Sequence, residues 1–281
     1  MKPETLIIFD YSGTLSIEAV RFADEEPLVE TLRETGLDAL GIATADIFWR
    51  DIVNPTWAEG SLTSVGYASL MARRIREVFD PTVSQKTIAD RTRDFVQRYF
   101  ASSVVDRRWC PLITDLLGDP AVSVVVATDH YAEATDAVCR HLAACGVAGR
   151  AAAKSETPVD GQSIVVANSA DMGSYKSQHV FWETIRTWYP LDEVCRIIAV
   201  DDFGFNESMG DAYAAAEKVA TRTVETATVL TDVFGCLVDV VPFVAMAYDG
   251  VAPKEQLPSV EDVIAQVRGL WDGSYESRHC V

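Results

Sequence analysis

Lysine is scarce in this chain: six lysines stand beside eighteen arginines, and 42 acidic residues outnumber both, for a formal net charge of −18. That balance argues against nucleic acid or an anionic membrane as a partner, since both are recruited through basic clusters. It also makes capture of any anionic ligand depend on a local positive site. No stretch is apolar enough to span a bilayer; the most apolar one, 229–248, is broken by Asp232, Asp239 and Pro242. The six cysteines (110, 139, 145, 195, 236 and 280) form no CxxC pair. Most lie in apolar surroundings and read as reduced packing residues of a cytoplasmic protein, with Cys280 the exposed thiol. The first apolar run begins at Leu6, so no signal peptide is expected. The ending Arg278-His279-Cys280-Val281 does not fit a prenylation box. Repeats and low-complexity segments are absent.

What is present is a set of short apolar runs. Leu6-Ile7-Ile8-Phe9 ends on Asp10 and is followed by the turn residues Ser12, Gly13 and Thr14. Its length and branching are those of a buried parallel strand. Open α/β sheets place their chemistry just past the carboxyl ends of such strands. An Asp there is a nucleophile, a metal ligand or both, or else the cap of an Asp-rich turn. Val122–Ala127 is a second run, ending on Thr128, and 163–167 (SIVVA) is a third. Beyond the third, Lys176 precedes a helical stretch, 177–189. The fourth run, 196–200 (RIIAV), ends on Asp201-Asp202. Together they deliver a carboxylate to attack, a hydroxyl and an ammonium to hold phosphate oxygens, and acids to hold Mg²⁺.

This order resembles the motif set of the haloacid dehalogenase superfamily of phosphohydrolases and phosphotransferases. The first motif is Asp10-Tyr11-Ser12-Gly13-Thr14, the second Thr128, the third Lys176, and the fourth Asp201-Asp202 with Gly204, Asn206 and Glu207 behind it. The resemblance implies an α/β fold: a Rossmann-like, doubly wound parallel core (1–15 and 108–281) with an inserted helical cap (16–107). It implies a hydrolase in which Asp10 becomes an aspartyl phosphate and Mg²⁺ is held by Asp10, the Ser12 carbonyl and the acidic pair. Asp202 is preferred over Asp201 as the ligand, while Asp201, Asn206 and Glu207 orient metal-bound water. Thr128 and Lys176 hold the transferring oxygens, and Asp129 and His130 lie beside the substrate. The ligand is a small phosphorylated metabolite; no nucleic acid or membrane partner is expected, and oligomeric state is open.

Position 12 departs from the pattern. Most phosphatases of the superfamily carry a second Asp there, which protonates the leaving group and then activates water. A hydroxyl is a poor acid or base near neutral pH, and positioned acid–base groups contribute about 10²–10⁴-fold. Ser12 therefore predicts slow turnover or an acid from elsewhere, with neutral His130 a candidate base. Two alternatives follow: a phosphonatase-like carbon–phosphorus hydrolase, whose Schiff-base Lys would be Lys86, or a catalytically weak phosphometabolite-binding protein. P-type ATPases lack a counterpart here for want of a span, and dehalogenases lack the acidic pair that Asp201-Asp202 keeps.

Between the first and second motifs, helical patterns dominate. Residues 65–79 place Leu70, Met71, Ile75, Val78 and Phe79 on one face. Residues 84–100 do the same for Ile88, Thr92, Phe95, Val96, Tyr99 and Phe100, with Ser84 as N-cap. Segments 27–35 and 42–53 are shorter candidates. Hinge strands are expected near Ser16-Ile17 and Asp106–Cys110. Trp49, Arg50, Asn54, Trp57 and the cluster Arg73, Arg74 and Arg76 are read as packing or solvated residues first and as ligand contacts second. The apolar segment 224–248 reads as a last strand and helix or an interface, and 259–271 as a final amphipathic helix.

Overall fold

The structure is a computed structural model that describes residues 5–79, 82–152, 163–188, 194–206, 216–245 and 258–273. Six parallel strands form one sheet: β1 (Thr5–Phe9), β2 (Val122–Thr128), β3 (Ala148–Ala151), β4 (Ser163–Asn168), β5 (Arg196–Asp201) and β6 (Leu237–Pro242), in the order β3-β4-β2-β1-β5-β6. The chain runs outward from β1 on one side and then returns to β5 on the other. Such a reversal leaves a crevice at the carboxyl ends of the central strands. Register fixes what enters it: Phe9 lies level with Val126 and Val200, so Asp10 emerges beside Asp201.

Both faces of the sheet are covered, which is why the strands read as unbroken apolar runs. Ile7, Phe9, Val124, Val126, Ile198 and Val200 pack on one side against α7 (Trp109–Gly118), α8 (Glu133–Ala144) and α12 (Val260–Trp271). The alternating residues, Leu6, Ile8, Val125, Ile197 and Ala199, face α10 (His179–Trp188) and α11 (Ala216–Phe234). The final helix is where the pattern put it, and Ser259 and Asp262 close a capping box at its start. Segment 224–248 resolves into the end of α11 and then β6, a helix followed by a strand; residues 246–248 lie outside the described residues.

Among the described residues, the α-helices between β1 and α7 are α1 (Ile17–Arg21), α2 (Glu25–Glu34), α3 (Ala45–Ile47), α4 (Asn54–Gly60), α5 (Tyr67–Phe79) and α6 (Gln85–Ser102), and no strand lies among them. These share a core built on Leu28, Leu32, Ile52, Leu70, Met71, Ile75, Ile88 and Phe95. Ser84 caps α6 by accepting from the Thr87 N–H at 3.1 Å. Tyr131, Ala134 and Ala137, at the start of α8, join the same core, so the insertion is packed onto the sheet's own helices. The reading of 42–53 as one helix needs correction. Phe48–Val53 forms a wider π turn between α3 and α4. Pro55 follows it and has no N–H with which to reach the Asp51 carbonyl; the Arg74 guanidinium takes that carbonyl at 2.8 Å.

Two other expectations are corrected. The crossings between sheet and insertion are not strands. Ser16 is the N-cap of α1, Trp109 opens α7, and the crossings are tied by the Asp106 N–H to the Leu15 carbonyl at 2.9 Å and by the Tyr11 hydroxyl to the Ser103 carbonyl. Nor are all cysteines reduced: Cys110 in α7 and Cys145 after α8 are joined in a disulfide. They lie 35 residues apart, and no spacing motif announces the pair. Cys139, Cys195 and Cys236 lie outside this disulfide, and Cys280 lies outside the described residues.

Candidate active site

Asp10 leaves β1 into a tight turn. The Thr14 and Ser16 N–H groups both donate to the Tyr11 carbonyl, at 3.3 and 2.8 Å, and the Gly13 N–H donates to the Ser16 carbonyl at 3.0 Å. Gly13 has φ +76°, and a Cβ there would lie 2.3 Å from Asp202 Oδ2. Only glycine therefore lets the first turn close against the fourth motif. The Thr14 hydroxyl accepts from the Asp202 N–H at 3.0 Å, which binds the two loops a second time.

Asp10, Asp201 and Asp202 are all buried, and each can offer an oxygen within 4.8 Å of the others. Lys176, also buried, donates to Asp10 Oδ1 at 2.7 Å and to Asp201 Oδ2 at 2.6 Å. Its place is fixed at both ends: the backbone N–H donates to Asp129 Oδ1 at 3.0 Å, and the carbonyl accepts from the Trp182 indole at 2.6 Å. The second oxygen of Asp201 accepts from the Phe203 N–H at 2.6 Å. Asp202 accepts from the Gly204 and Asn206 N–H groups at 3.0 and 2.9 Å. Loss of hydration pushes the Asp10 carboxyl well above the usual range; Lys176 pulls it down, while Asp201 and Asp202 push it up. A cation held among the three carboxylates would draw Asp10 back down. The oxygen-only donor set suits Mg²⁺.

Thr128 ends β2 at the same level of the crevice, opposite Asn168. Asn168 was not foreseen, and it organises the next loop. Its Oδ1 accepts from the His130 N–H at 3.1 Å, and its Nδ2 donates to the Tyr131 carbonyl at 2.9 Å. His130 is buried, and both ring nitrogens are engaged. Nδ1 accepts from the Tyr131 N–H at 2.8 Å, which places the ring proton on Nε2, facing the Tyr99 hydroxyl at 2.9 Å. Burial pulls its pKa down to about 4. Beside it, loss of hydration pushes Asp129 up to about 6, against the pull of Lys176.

The other expected residues divide. Asn206, expected to orient metal-bound water, bonds backbone groups of two other loops: its amide donates to the Gly13 and Phe243 carbonyls, both at 2.8 Å, and its oxygen accepts from the Ala245 N–H. It is a clasp between loops. Glu207 lies outside the described residues. Trp49 and Trp57 do line a cavity that also contains Ser12, Asp129 and His130. Arg50 is paired with Asp46 and Asp51, Arg73 with Glu59, and Arg74 with the Asp51 carbonyl and Glu77. Arg50, Asn54, Arg73, Arg74 and Arg76 are not on the cavity wall. Lys86 is exposed and paired with Asp90, at the opposite end of α6 from Tyr99. Thirteen residues of helix separate the two, about 20 Å.

Comparison with solved structures settles the architecture. The chain is similar to a 2-haloacid dehalogenase from Pseudomonas syringae pv. tomato: the match covers 98% of this chain and 100% of that one, with TM-score 0.53 and 14% identity. The chain has the haloacid dehalogenase fold. A second match is a predicted HAD-like family hydrolase from Porphyromonas gingivalis, with 13% identity, 85% of this chain, 90% of that one and TM-score 0.41. No protein-family model and no curated protein matches the sequence. On the haloacid dehalogenase fold, the first-motif turn, Thr128, Lys176 and the acidic pair all meet at one end of the sheet.

Proposed function

We propose that the chain is a Mg²⁺-dependent phosphohydrolase acting on a small phosphorylated metabolite through an aspartyl phosphate on Asp10. The observation that carries this reading is the buried trio Asp10, Asp201 and Asp202, with Lys176 bridging Asp10 and Asp201. Mg²⁺, when bound by Asp10, the Ser12 carbonyl and Asp202, supplies charge neutralisation to the phosphoryl oxygens. Lys176 holds Asp10 through Oδ1, which leaves Oδ2 to attack phosphorus as the bond to the leaving oxygen breaks. Lys176 and the Thr128 hydroxyl stabilise charge on the transferring oxygens. Water then attacks phosphorus, giving a proton to the carboxylate left by the acid of the first step, as the bond from phosphorus to Asp10 breaks and orthophosphate leaves.

The leaving oxygen needs a proton that Ser12 does not supply. Both nitrogens of His130 are already bonded, so it serves as a fixed neutral wall. Asp129 is the carboxyl that shares the cavity with Ser12, and at about 6 its pKa leaves it partly protonated near neutrality. We assign it the acid's role, on geometry first and pKa second. A phosphate ester is preferred to a haloalkanoate because the acidic trio suits a divalent cation that would offset phosphoryl charge. The test is phosphate release from a panel of monophosphates, with and without Mg²⁺, beside Asp10→Asn. Mg²⁺-dependent release that disappears in the variant is expected. Release that survives in Asp10→Asn, or halide release from 2-chloropropionate in place of phosphate release, overturns the reading.

A further inference from the structure

Beyond Ser12 lies a space of about 80 Å³ between the helices that follow β1 and the sheet. Its wall on the insertion side is aromatic: Phe22 after α1, Phe48 and Trp49 on the π turn, Trp57 on α4, and Phe95 and Tyr99 on α6. The rings brace one another edge-on. Phe22 meets Phe95 and Tyr99 with centroids 5.7 and 5.2 Å apart, and Trp57 meets Tyr131 at 5.3 Å. This is a wall preformed by packing. On the sheet side stand Ser12, Asp129 and His130. Among the described residues, Asp129 is the one acidic side chain on the wall, and no Lys or Arg lies there.

We infer that the group attached to the substrate's phosphate is short, uncharged and predominantly apolar, of about three heavy atoms. This rests on the phosphohydrolase reading and names the substrate class of that same site. Size comes from the volume: a cavity of roughly 150 Å³ lined by Leu, Ile and Phe admits benzene, and each water-sized group takes about 30 Å³. Polarity comes from the wall. Hydroxyls on the leaving group would meet ring faces and lose their hydration without replacement. Charge comes from Asp129: among the described residues no Lys or Arg lines the wall, so a second phosphate or a carboxylate would sit beside an acid with no cation on that wall. Sugar phosphates, nucleotides and phosphorylated hydroxy acids are excluded on all three counts.

The experiment compares three esters of one carbon skeleton: n-propyl phosphate, glycerol 3-phosphate and 3-phosphoglycerate, with Mg²⁺ saturating. The expected order of kcat/KM is the order given, with propyl phosphate ahead of glycerol 3-phosphate by about 10²-fold. Equal or reversed rates overturn the inference. The same esters are titrated calorimetrically into Asp10→Asn, where binding is read without turnover. If none is hydrolysed but propyl phosphate still binds most tightly, the phosphohydrolase reading falls and the inference stands. If binding is equal or absent, the inference falls whatever the turnover. Trp57→Leu enlarges the space and should raise the rate on benzyl phosphate relative to propyl phosphate at least tenfold; an unchanged ratio in the folded variant contradicts the assignment. Should Trp57→Leu fail to fold, Phe22→Leu is read in the same way.

Discussion

The His130 ring gives the clearest physical test of how the site is built. It is buried between Tyr131 and Tyr99, and its pKa falls from 6.5 to about 4 because the protein strips hydration from the imidazolium. The unfolded chain takes up a proton as pH drops through 6.5, whereas the native protein does so only near 4. In that window the unfolded state binds more protons, so stability rises with pH and is lost on acidification. The shift of about 2.5 units is worth about 3 kcal/mol in full, of which roughly 2.5 kcal/mol is expressed between pH 8 and pH 4.5. His130→Asn removes the titrating group while its side-chain oxygen can still accept from the Tyr131 N–H. Urea unfolding of both proteins across that range should show the difference between them shrinking by about 2.5 kcal/mol on acidification, in the variant's favour. Parallel curves would show that His130 is hydrated and refute the closed geometry assigned to the cavity.

Other substitutions probe neighbouring links. Asp129 has the opposite sign: its raised pKa stabilises the native state below about pH 4, and that contribution is lost as pH rises through about 6. Asp129→Asn should therefore gain stability relative to the parent between pH 4 and 7 in denaturation curves, while kcat falls by about 10²–10⁴-fold. Gly13→Ala puts a Cβ against Asp202 Oδ2 at positive φ. It should cost about 1–2 kcal/mol for the backbone alone and weaken Mg²⁺ binding measured by calorimetry; unchanged affinity would free Asp202 from the metal role. Cys110→Ser opens a loop of 35 residues and should lower stability by about 3–4 kcal/mol. Thiol titration of the parent should find two fewer free thiols than its six cysteines.

The central sheet was legible because its strands are buried on both faces and end on chemistry-bearing residues. Leu6–Phe9 to Asp10, Val122–Thr128 and Arg196–Asp201 all stand where the apolar runs placed them. The edges were not. Ala148–Ala151 reads AGRA, an edge strand with little apolar surface to betray it. In β6, Asp239 interrupts the pattern, yet it is buried because Arg196 on the adjacent strand pairs with it at 2.7 Å. Helices α5 and α6 followed their periodicity except at Val78, expected on the apolar face but exposed because it lies off the buried stripe of Leu70, Met71 and Ile75, whereas the π turn depended on Pro55 and on Arg74, a distant donor.

The site was half legible. Asp10, Lys176, Asp201 and Asp202 do meet, as their order suggested. Asn206 was misread because its acidic neighbours suggested a metal shell, while its bonds reach carbonyls in two loops far apart in sequence. The aromatic cavity draws on residues from Ser12 to Tyr131, a spread no local pattern can reveal. Asn168 follows for the same reason: its partners lie 33 to 38 residues away.

The most direct measurement of the central claim is a single turnover in H₂¹⁸O with enzyme in excess over propyl phosphate, followed by mass spectrometry of the phosphate and of the peptide carrying Asp10. Attack of water on an aspartyl phosphate at phosphorus puts one ¹⁸O in the released phosphate and none in Asp10, and this is the predicted result. Label in the Asp10 carboxylate would mean that water attacks a carbon ester, as for a halide leaving group, and would contradict the account.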